Sequence, residues 1–341
     1  MSIAVLLSTR NGARTLSAVL AAHAALRPAA VPHRLIIVDN GSTDATPALL
    51  AEVAAAGRPA VEVLREELPG KNRALNRALP LVLDAELVVF TDDDAVPEPD
   101  WLQRLWNEAQ LRRGYGILGG AILPRWMVPP PSWIQEWRVP LDICYAATAT
   151  HREGQIDPTK VWGPNMGVRG AVLREGHRFD ASIGPDGSPT YPMGSEIEFT
   201  SRLARAGHRA WYTPHAVVHH LVRPEQMTEE WVLQRAFRCG RGAAQLRARM
   251  LTPHGLRRAR LAPGLWLRVA GYGAGAALAR HVLPPSRLRF WLEWQSSLMR
   301  GKVVGLRPPP VATAAAAAGG SVLEPSGAAA GPAHARTAAG T

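Results

Sequence analysis

Apolar residues in the first ninety positions form short runs rich in β-branched side chains, separated by longer segments with helical spacing. Ile3–Ser8, Arg34–Asp39 and Glu86–Thr91 read as apolar strands, and Val61–Leu64 as a shorter one. Thr15–Leu26 carries apolar residues at helical spacing and is stopped by Arg27-Pro28. The stretch NGSTDATPALLAEVAAAG offers a Gly turn, cap candidates Ser42, Thr43 and Asp44, a helix, and a stop at Gly57. Asn72–Leu83 predicts a helix interrupted near Pro80. Apolar strands alternating with helices predict a parallel sheet covered on both faces.

Beyond residue 114 the pattern is mixed. Tyr115–Leu123 and Val161–Arg169 read as strands, with a Pro- and Trp-rich loop, Pro124–Trp137, after the first. Ser195–Ala206 predicts a capped helix and His208–Leu221 extended segments. From Thr228 onward the chain is mostly helical and basic. Residues 308–341 are Ala, Gly and Pro with little else apolar, which predicts a disordered tail.

Composition adds three limits. A chain of 341 residues with 47% hydrophobic and 20% charged residues can bury a sizeable core. Its two cysteines, Cys144 and Cys239, exclude a disulfide framework or a CxxC zinc site. The run Ile3–Leu7 is short and lacks a basic flank, so it reads as a strand rather than a signal peptide. Charge is unevenly spread: residues 1–222 hold 22 basic and 23 acidic groups, whereas residues 223–341 hold 17 and 5. A cationic C-terminal third predicts an anionic partner surface.

The candidate chemistry lies at strand ends, where ligands gather in parallel α/β sheets. Ser8-Thr9-Arg10-Asn11-Gly12 follows the first strand and Asp39-Asn40-Gly41-Ser42 the second. The fourth apolar run, ELVVF, ends in Thr91-Asp92-Asp93-Asp94. Three adjacent carboxylates repel one another, and a bound cation removes the problem. An Asp-X-Asp there suits a hard divalent ion, Mg²⁺ or Mn²⁺, shared with substrate phosphates. No GxGxxG or GxxxxGK[ST] follows the first strand, so neither a dinucleotide fold nor a P-loop is supported.

Several stretches together resemble the family 2 glycosyltransferases of the GT-A fold. They are LLSTRNGARTL, LIIVDNGSTDAT, GKNRALNRAL and VVFTDDDAVPEPDWL, then WGPNMGVRGAVL, RFDASIG and GSEIEFTSRLARAGHRAWYTPHAVVHH. The resemblance covers about residues 1–240 in the family's order. It implies an α/β, Rossmann-like mixed central sheet with helices on both faces, followed here by a C-terminal helical extension. Residues 1–224 are expected to be the transferase domain, with a nucleotide-sugar half (1–113) and an acceptor half (114–224). Residues 225–307 would be the basic helical region.

The implied activity is metal-dependent, inverting transfer of a sugar from a UDP-, GDP- or dTDP-sugar to a saccharide or lipid-linked acceptor. By resemblance, Thr9 and Asp39 hold the nucleoside, Asp39 through the base, and Lys71 lies near the nucleotide. Asp92 matches the first acid of the DXD motif, reaching ribose or metal, and Asp94 the second, the direct ligand of Mn²⁺ or Mg²⁺. Asp93 lies between them, with its side chain expected to point away along the strand. A histidine near the end of the late strand completes the metal site in many such enzymes, and His219 matches it better than His220.

Helix chemistry bears on the base. Ser195-x-x-Glu198 reads as a capping box, which gives Glu198 a structural job and leaves Glu196 free in the first turn. The family motif usually has Glu-Asp where this chain has Ser195-Glu196, so Glu196 takes the place of the catalytic Asp. Trp126, Trp133, Trp137 and Trp162 are candidate sugar platforms, and Asn165 a candidate donor-sugar partner.

Two rivals remain on sequence. A sugar nucleotidyltransferase would be expected to carry a Gly-rich basic loop after the first strand, where STRNGAR has a single Gly. A membrane- or nucleic-acid-binding adaptor with an inactive transferase domain is supported by the cationic third, but every DXD and base position is filled with an acid. In Leu261–Leu283 the uncharged run between Arg268 and Arg280 is eleven residues, short of the ~20 needed to span a bilayer. The expected placement is cytoplasmic and peripheral, on the inner, anionic face of the cell membrane, with no nucleic-acid partner.

Overall fold

The four apolar runs of the N-terminal half become parallel strands in the computed structural model, which describes residues 1–250 and 262–306. β1 (Ile3–Thr9) is flanked by β2 (His33–Asp39) and β4 (Leu87–Asp92), and β3 (Val61–Arg65) lies outside β2. Register brings Thr9 opposite Asp39 and Ser8 opposite Asp92. The polar residues after these strands therefore share one edge of the sheet.

β1 is apolar on both sides because each side packs on a layer. Ile3, Val5 and Leu7 join one cluster, with Leu16 and Val19 of α1 (Ala13–Ala24). Ala4 and Leu6 join the other, and α2 (Thr46–Ala56) and α3 (Lys71–Ala78) complete the first half. The expected break at Pro80 is a 3-10 turn, Leu79–Val82.

After Asp92 a two-residue turn leads into the short β5 (Ala95–Pro97), then α4 (Trp101–Leu111) and β6 (Ile117–Trp126). Two short helices follow, α5 (Trp133–Glu136) and α6 (Leu141–Tyr145), and then β7 (Gly154–Ile156) and β8 (Met166–Arg169). α7 (Gly170–Arg174), α8 (Ser195–Arg205) and the thirteen-residue β9 (Ala210–Val222) close the mixed sheet. The strand order is β3-β2-β1-β4-β8-β6-β9-β5, with β7 also on β9 and β8 antiparallel to both β4 and β6.

β6 and β9 slip register between Gly120 and Ala121, where Pro214, His215 and Ala216 are looped out of β9. Asn165 fills the gap. Its amide donates to Ala121 O and Ala216 O, 2.9 Å each, and its carbonyl accepts from Trp101 Nε1 at 2.9 Å. Gly120 must be glycine, because a Cβ there would lie 2.3 Å from Asn165 Nδ2. Both amide protons of Asn165 are committed to this junction, and the residue does not line the cavity described below.

α9 (Glu229–Met250), α10 (Pro263–Val282) and α11 (Arg287–Gly305) follow. α9 and α11 cross at glycines: a Cβ on Gly240 would lie 2.1 Å from Leu298 O, and one on Gly301 2.0 Å from Phe237 O. Beside the crossing a third apolar cluster joins Ile134, Tyr145, Val232, Phe290 and Trp294, with Trp126, Trp133 and Trp137 packed against it. Three of the four tryptophans expected as sugar platforms are therefore packing residues. The cluster also crosses the boundary expected at 224, and Met1–Arg307 form one compact unit. The tail expected at 308–341 lies outside the described residues.

Candidate active site

A cavity of about 350 Å³ opens at the sheet edge where β1 and β4 end, lined among others by Thr9, Lys71, Asp92, Asp93, Asp94 and Glu196. Asp92 ends β4, and Asp93 and Asp94 form the turn into β5. That turn is tied to β9 by Leu221 N donating to Asp94 O at 2.7 Å.

β5 pairs antiparallel with β9, Ala95 opposite His220. This register, not the strand's sequence, decides which histidine meets the acids. His220 Nε2 lies 3.3 Å from Asp94 Oδ2, and its Nδ1 lies 3.0 Å from the carbonyl of Tyr145. Neighbouring side chains in a strand face opposite sides. His219 accordingly turns away, with Nε2 3.1 Å from Glu98 Oε1. His219, expected as the metal ligand, thus faces away from the acids, and His220 faces them.

Asp93 also departs from expectation. It sits in the turn, where strand alternation no longer applies, and its Oδ2 accepts a 2.6 Å hydrogen bond from Thr9 Oγ1. Burial and then the Asp94 charge push its pKa up to about 7. Burial likewise raises Asp92, against the pull of Lys71. For Asp94, burial acts upward but is outweighed by His220 and Arg223, and the pKa falls. Burial disfavours the His220 cation, yet Asp94 outweighs it and raises the imidazole.

Lys71 begins α3 and reaches two acids, with Nζ 2.6 Å from Asp92 Oδ1 and 3.2 Å from Glu196 Oε1. Burial opposes its charge, but Asp92 and Glu196 outweigh that and raise its pKa. Glu196 lies in the first turn of α8, close against Gly163, where a Cβ would come 2.5 Å from Oε1. Ser195 Oγ donates to Glu196 Oε2 at 2.8 Å. Burial would raise this carboxyl, but Lys71 leads a set of contacts that hold it below its usual range.

The expected capping box does not form. Gly194, at φ +108, is the N-cap of α8, and Ser195 lies inside the helix. Glu198 pairs with Arg202 one turn on, at 2.6 and 2.9 Å. It still has a structural role, through a different partner. Asp39 does not line the cavity: its carboxylate accepts from Arg65 Nη1 at 2.8 Å and from Ser42 N at 2.9 Å. Its neighbour Asn40 does line it.

Sequence reasoning missed Arg223, Arg235 and Arg238, which also line the cavity. Trp231, Arg235 and Arg238 fall at i, i+4 and i+7 on α9, a spacing that puts them on one face and was open to reading. A separate group, Glu175, His177 and His208, brings its ligand atoms within 4.8 Å of one another, and none of the three lines the cavity.

Residues 5–172, from β1 into α7, match the family model described as glycosyl transferase family 2. The succinoglycan biosynthesis protein ExoM of Rhizobium meliloti is 27% identical over 296 residues, covering 80% of this chain and 82% of that one. The glucosyl-dolichyl phosphate glucuronosyltransferase of Haloferax volcanii is 25% identical over 156 residues, 45% of this chain and 48% of that one. The mannosyltransferase PcManGT of Pyrobaculum calidifontis, solved in complex with GDP-Man and Mn²⁺, has a TM-score of 0.56 at 22% identity, covering 89% of this chain and 86% of that one. S. aureus TarS 1–349 has a TM-score of 0.51 at 14% identity, over 89% and 90%. Both structures share the fold. With the strand-end acids in one cavity and the family match running through them, residues 5–172 are a glycosyl transferase family 2 domain, and the chain has the GT-A glycosyltransferase fold.

Proposed function

We propose that the protein moves a sugar, with inversion, from a nucleotide-sugar donor to an acceptor hydroxyl in envelope polysaccharide or glycolipid synthesis. The observation that carries this reading is the meeting of Glu196, Lys71 and the three aspartates in one cavity. Glu196 is the general base: it accepts the proton of the acceptor hydroxyl as that oxygen attacks the anomeric carbon. Ser195 and Lys71 hold its carboxylate in place. Thr9 and Asn40 border the nucleoside, with Asp39 positioning the loop behind them through Ser42.

The donor set fits a divalent ion. Burial, with the charge of the adjoining Asp94 added to it, lifts Asp92 and Asp93 above the usual carboxylate range, a conflict a cation relieves. His220 gives the set a nitrogen: with Nδ1–H directed at Tyr145 O, its Nε2 faces Asp94. Asp94, Asp92 and His220 would hold Mn²⁺ or Mg²⁺, which when bound offsets charge on the departing diphosphate.

We infer, from a separate surface, that the protein also attaches to a membrane face. A groove of about 560 Å³ is lined by Trp137, Phe290, Trp291 and Trp294 together with Arg138 and Arg287. Trp266, Leu267, Leu278, Val282 and Leu288 are exposed on α10 and α11. Among the described residues, no helix is long and apolar enough to cross a membrane. Aromatic and basic groups together suit a headgroup interface.

Titration with UDP, GDP and dTDP in the presence of Mn²⁺ tests the transferase reading. One of the three raises the melting temperature in proportion to the logarithm of its concentration over Kd. Asp94→Asn and EDTA each abolish that rise. A wild-type protein indifferent to all three would overturn it.

A further inference from the structure

Arg238 is a buried cation without a counter-charge. It is 8% exposed, and its guanidinium is stacked 4.9 Å from the Tyr191 ring and 5.7 Å from that of Trp231. Nε and Nη2 are buried with no hydrogen-bond partner, and none of the ion pairs among the described residues includes Arg238. One turn earlier on α9, Arg235 donates to Ile143 O at 3.1 Å and to the Tyr191 hydroxyl at 3.2 Å, two neutral partners. Both arginines line the active-site cavity.

Two part-buried cations of that lining are already matched: Lys71 by Asp92 and Glu196, and Arg223 by Asp94 and Glu225. A buried, unpaired charge is costly, and folds keep one where a ligand completes it. Guanidinium groups one turn apart present forks that suit a phosphoryl group.

The position says which substrate brings that group. α6 forms a thin partition: Cys144 lines the cavity, and Pro140, about 6 Å away along a single helical turn, lines the Trp-rich groove. Trp231 stacks on Tyr145 at the end of the same turn, 5.8 Å between ring centroids. The arginines thus adjoin the partition that faces the groove, while the acids that would share a metal with the donor diphosphate gather at the ends of β4 and β5.

We propose that Arg235 and Arg238 form an anion site for a phosphoryl group carried by the acceptor, which makes the acceptor a phosphorylated or diphosphate-linked saccharide. The inference rests on the cavity being the transfer site.

Inorganic pyrophosphate, titrated calorimetrically into the full-length protein in EDTA, is the probe. One site is expected, weakened about 10–100-fold by Arg238→Gln, the worth of hydrogen bonds to a charged group. Arg235→Gln weakens it too, Arg238→Lys less, and Arg205→Gln, an exposed arginine outside the lining, not at all. Because Arg238 is uncompensated, Arg238→Gln should melt no lower than wild type; a fall would mark a structural role and count against the site. The Kd of the nucleoside diphosphate with Mn²⁺ should be unchanged in Arg238→Gln. An equal loss there would assign the arginines to the donor diphosphate and overturn the proposal, as would pyrophosphate binding that survives both glutamine variants. Failure of the transferase reading is separate: it appears as wild-type protein that binds no nucleoside diphosphate.

Discussion

Glu196 and Glu198 stand two residues apart on α8, and their carboxylates meet different partners. Glu196→Gln should lower kcat by ~10²–10⁴-fold, the usual worth of a general base, without changing the Kd of nucleoside diphosphate. Glu198→Gln should leave kcat near wild type and cost about 1–3 kcal/mol in urea unfolding, since it breaks the Arg202 pair. Equal loss of turnover in both would move the base assignment. His23 offers a residue-level test of the core. It is buried edge-on to Trp101, with Nε2 unpartnered, and burial followed by the His33 charge lowers its pKa to about 4. Above pH 6.5 folded and unfolded forms are both neutral at this site, so its contribution is complete. As pH falls from 6.5 towards 4 the unfolded chain gains a proton that the folded one refuses, and ~3 kcal/mol of stability is lost. Urea titrations at pH 7 and pH 4.5 should show His23→Leu losing less stability between them than wild type. The strand-end acids were legible because each follows an apolar run that can only be a buried strand. His220 was not, since choosing it over His219 requires knowing that Ala95 pairs with it.

Elements were most legible where one local rule governs them. The four parallel strands follow from runs apolar on both faces, and the break at Pro80 from a missing N–H. The start of α8 misled because Ser195 and Glu198 have the spacing of a capping box, while the left-handed Gly194 actually begins the helix. The loop-out in β9 and the α9–α11 crossing were hidden because each depends on distant partners, Asn165 in one case and glycines some sixty positions apart in the other. That crossing makes a paired prediction. Gly301→Ala drives a methyl group into Phe237 O and should cost about 1–3 kcal/mol, the range for overpacking. Gly273→Ala, in the interior of α10 with nothing within 4 Å of the new Cβ, should gain roughly 0.5–1 kcal/mol from helix propensity. Urea midpoints read both.

At the scale of the whole molecule, the basic excess of the C-terminal third is partly consumed within the fold. Arg280 and Arg289 share the buried Glu293, and Arg235 and Arg238 turn to the cavity, which leaves Arg287 and Arg300 among those exposed to an outside partner. Composition revealed the asymmetry but could not divide it between inner and outer uses. Full-length protein should float with anionic vesicles at low salt and be released as salt shortens the screening length to about 10 Å at 0.1 M. Leu288→Asn with Trp291→Ser should weaken flotation without changing nucleoside diphosphate binding; binding that resists both salt and carbonate would require a different mode of attachment. Lys71, finally, gives the catalytic cycle a direction in time. Its single ammonium is divided between Asp92 and Glu196, and its hold on Glu196 would make the base proposed above a weak one in the empty enzyme. On the proposed function, a diphosphate arriving beside Asp92 would draw on the same charge, and the base would strengthen only then. Donor should therefore bind before acceptor. Nucleoside diphosphate should inhibit competitively against donor and non-competitively against acceptor, and Lys71→Met should make the order random.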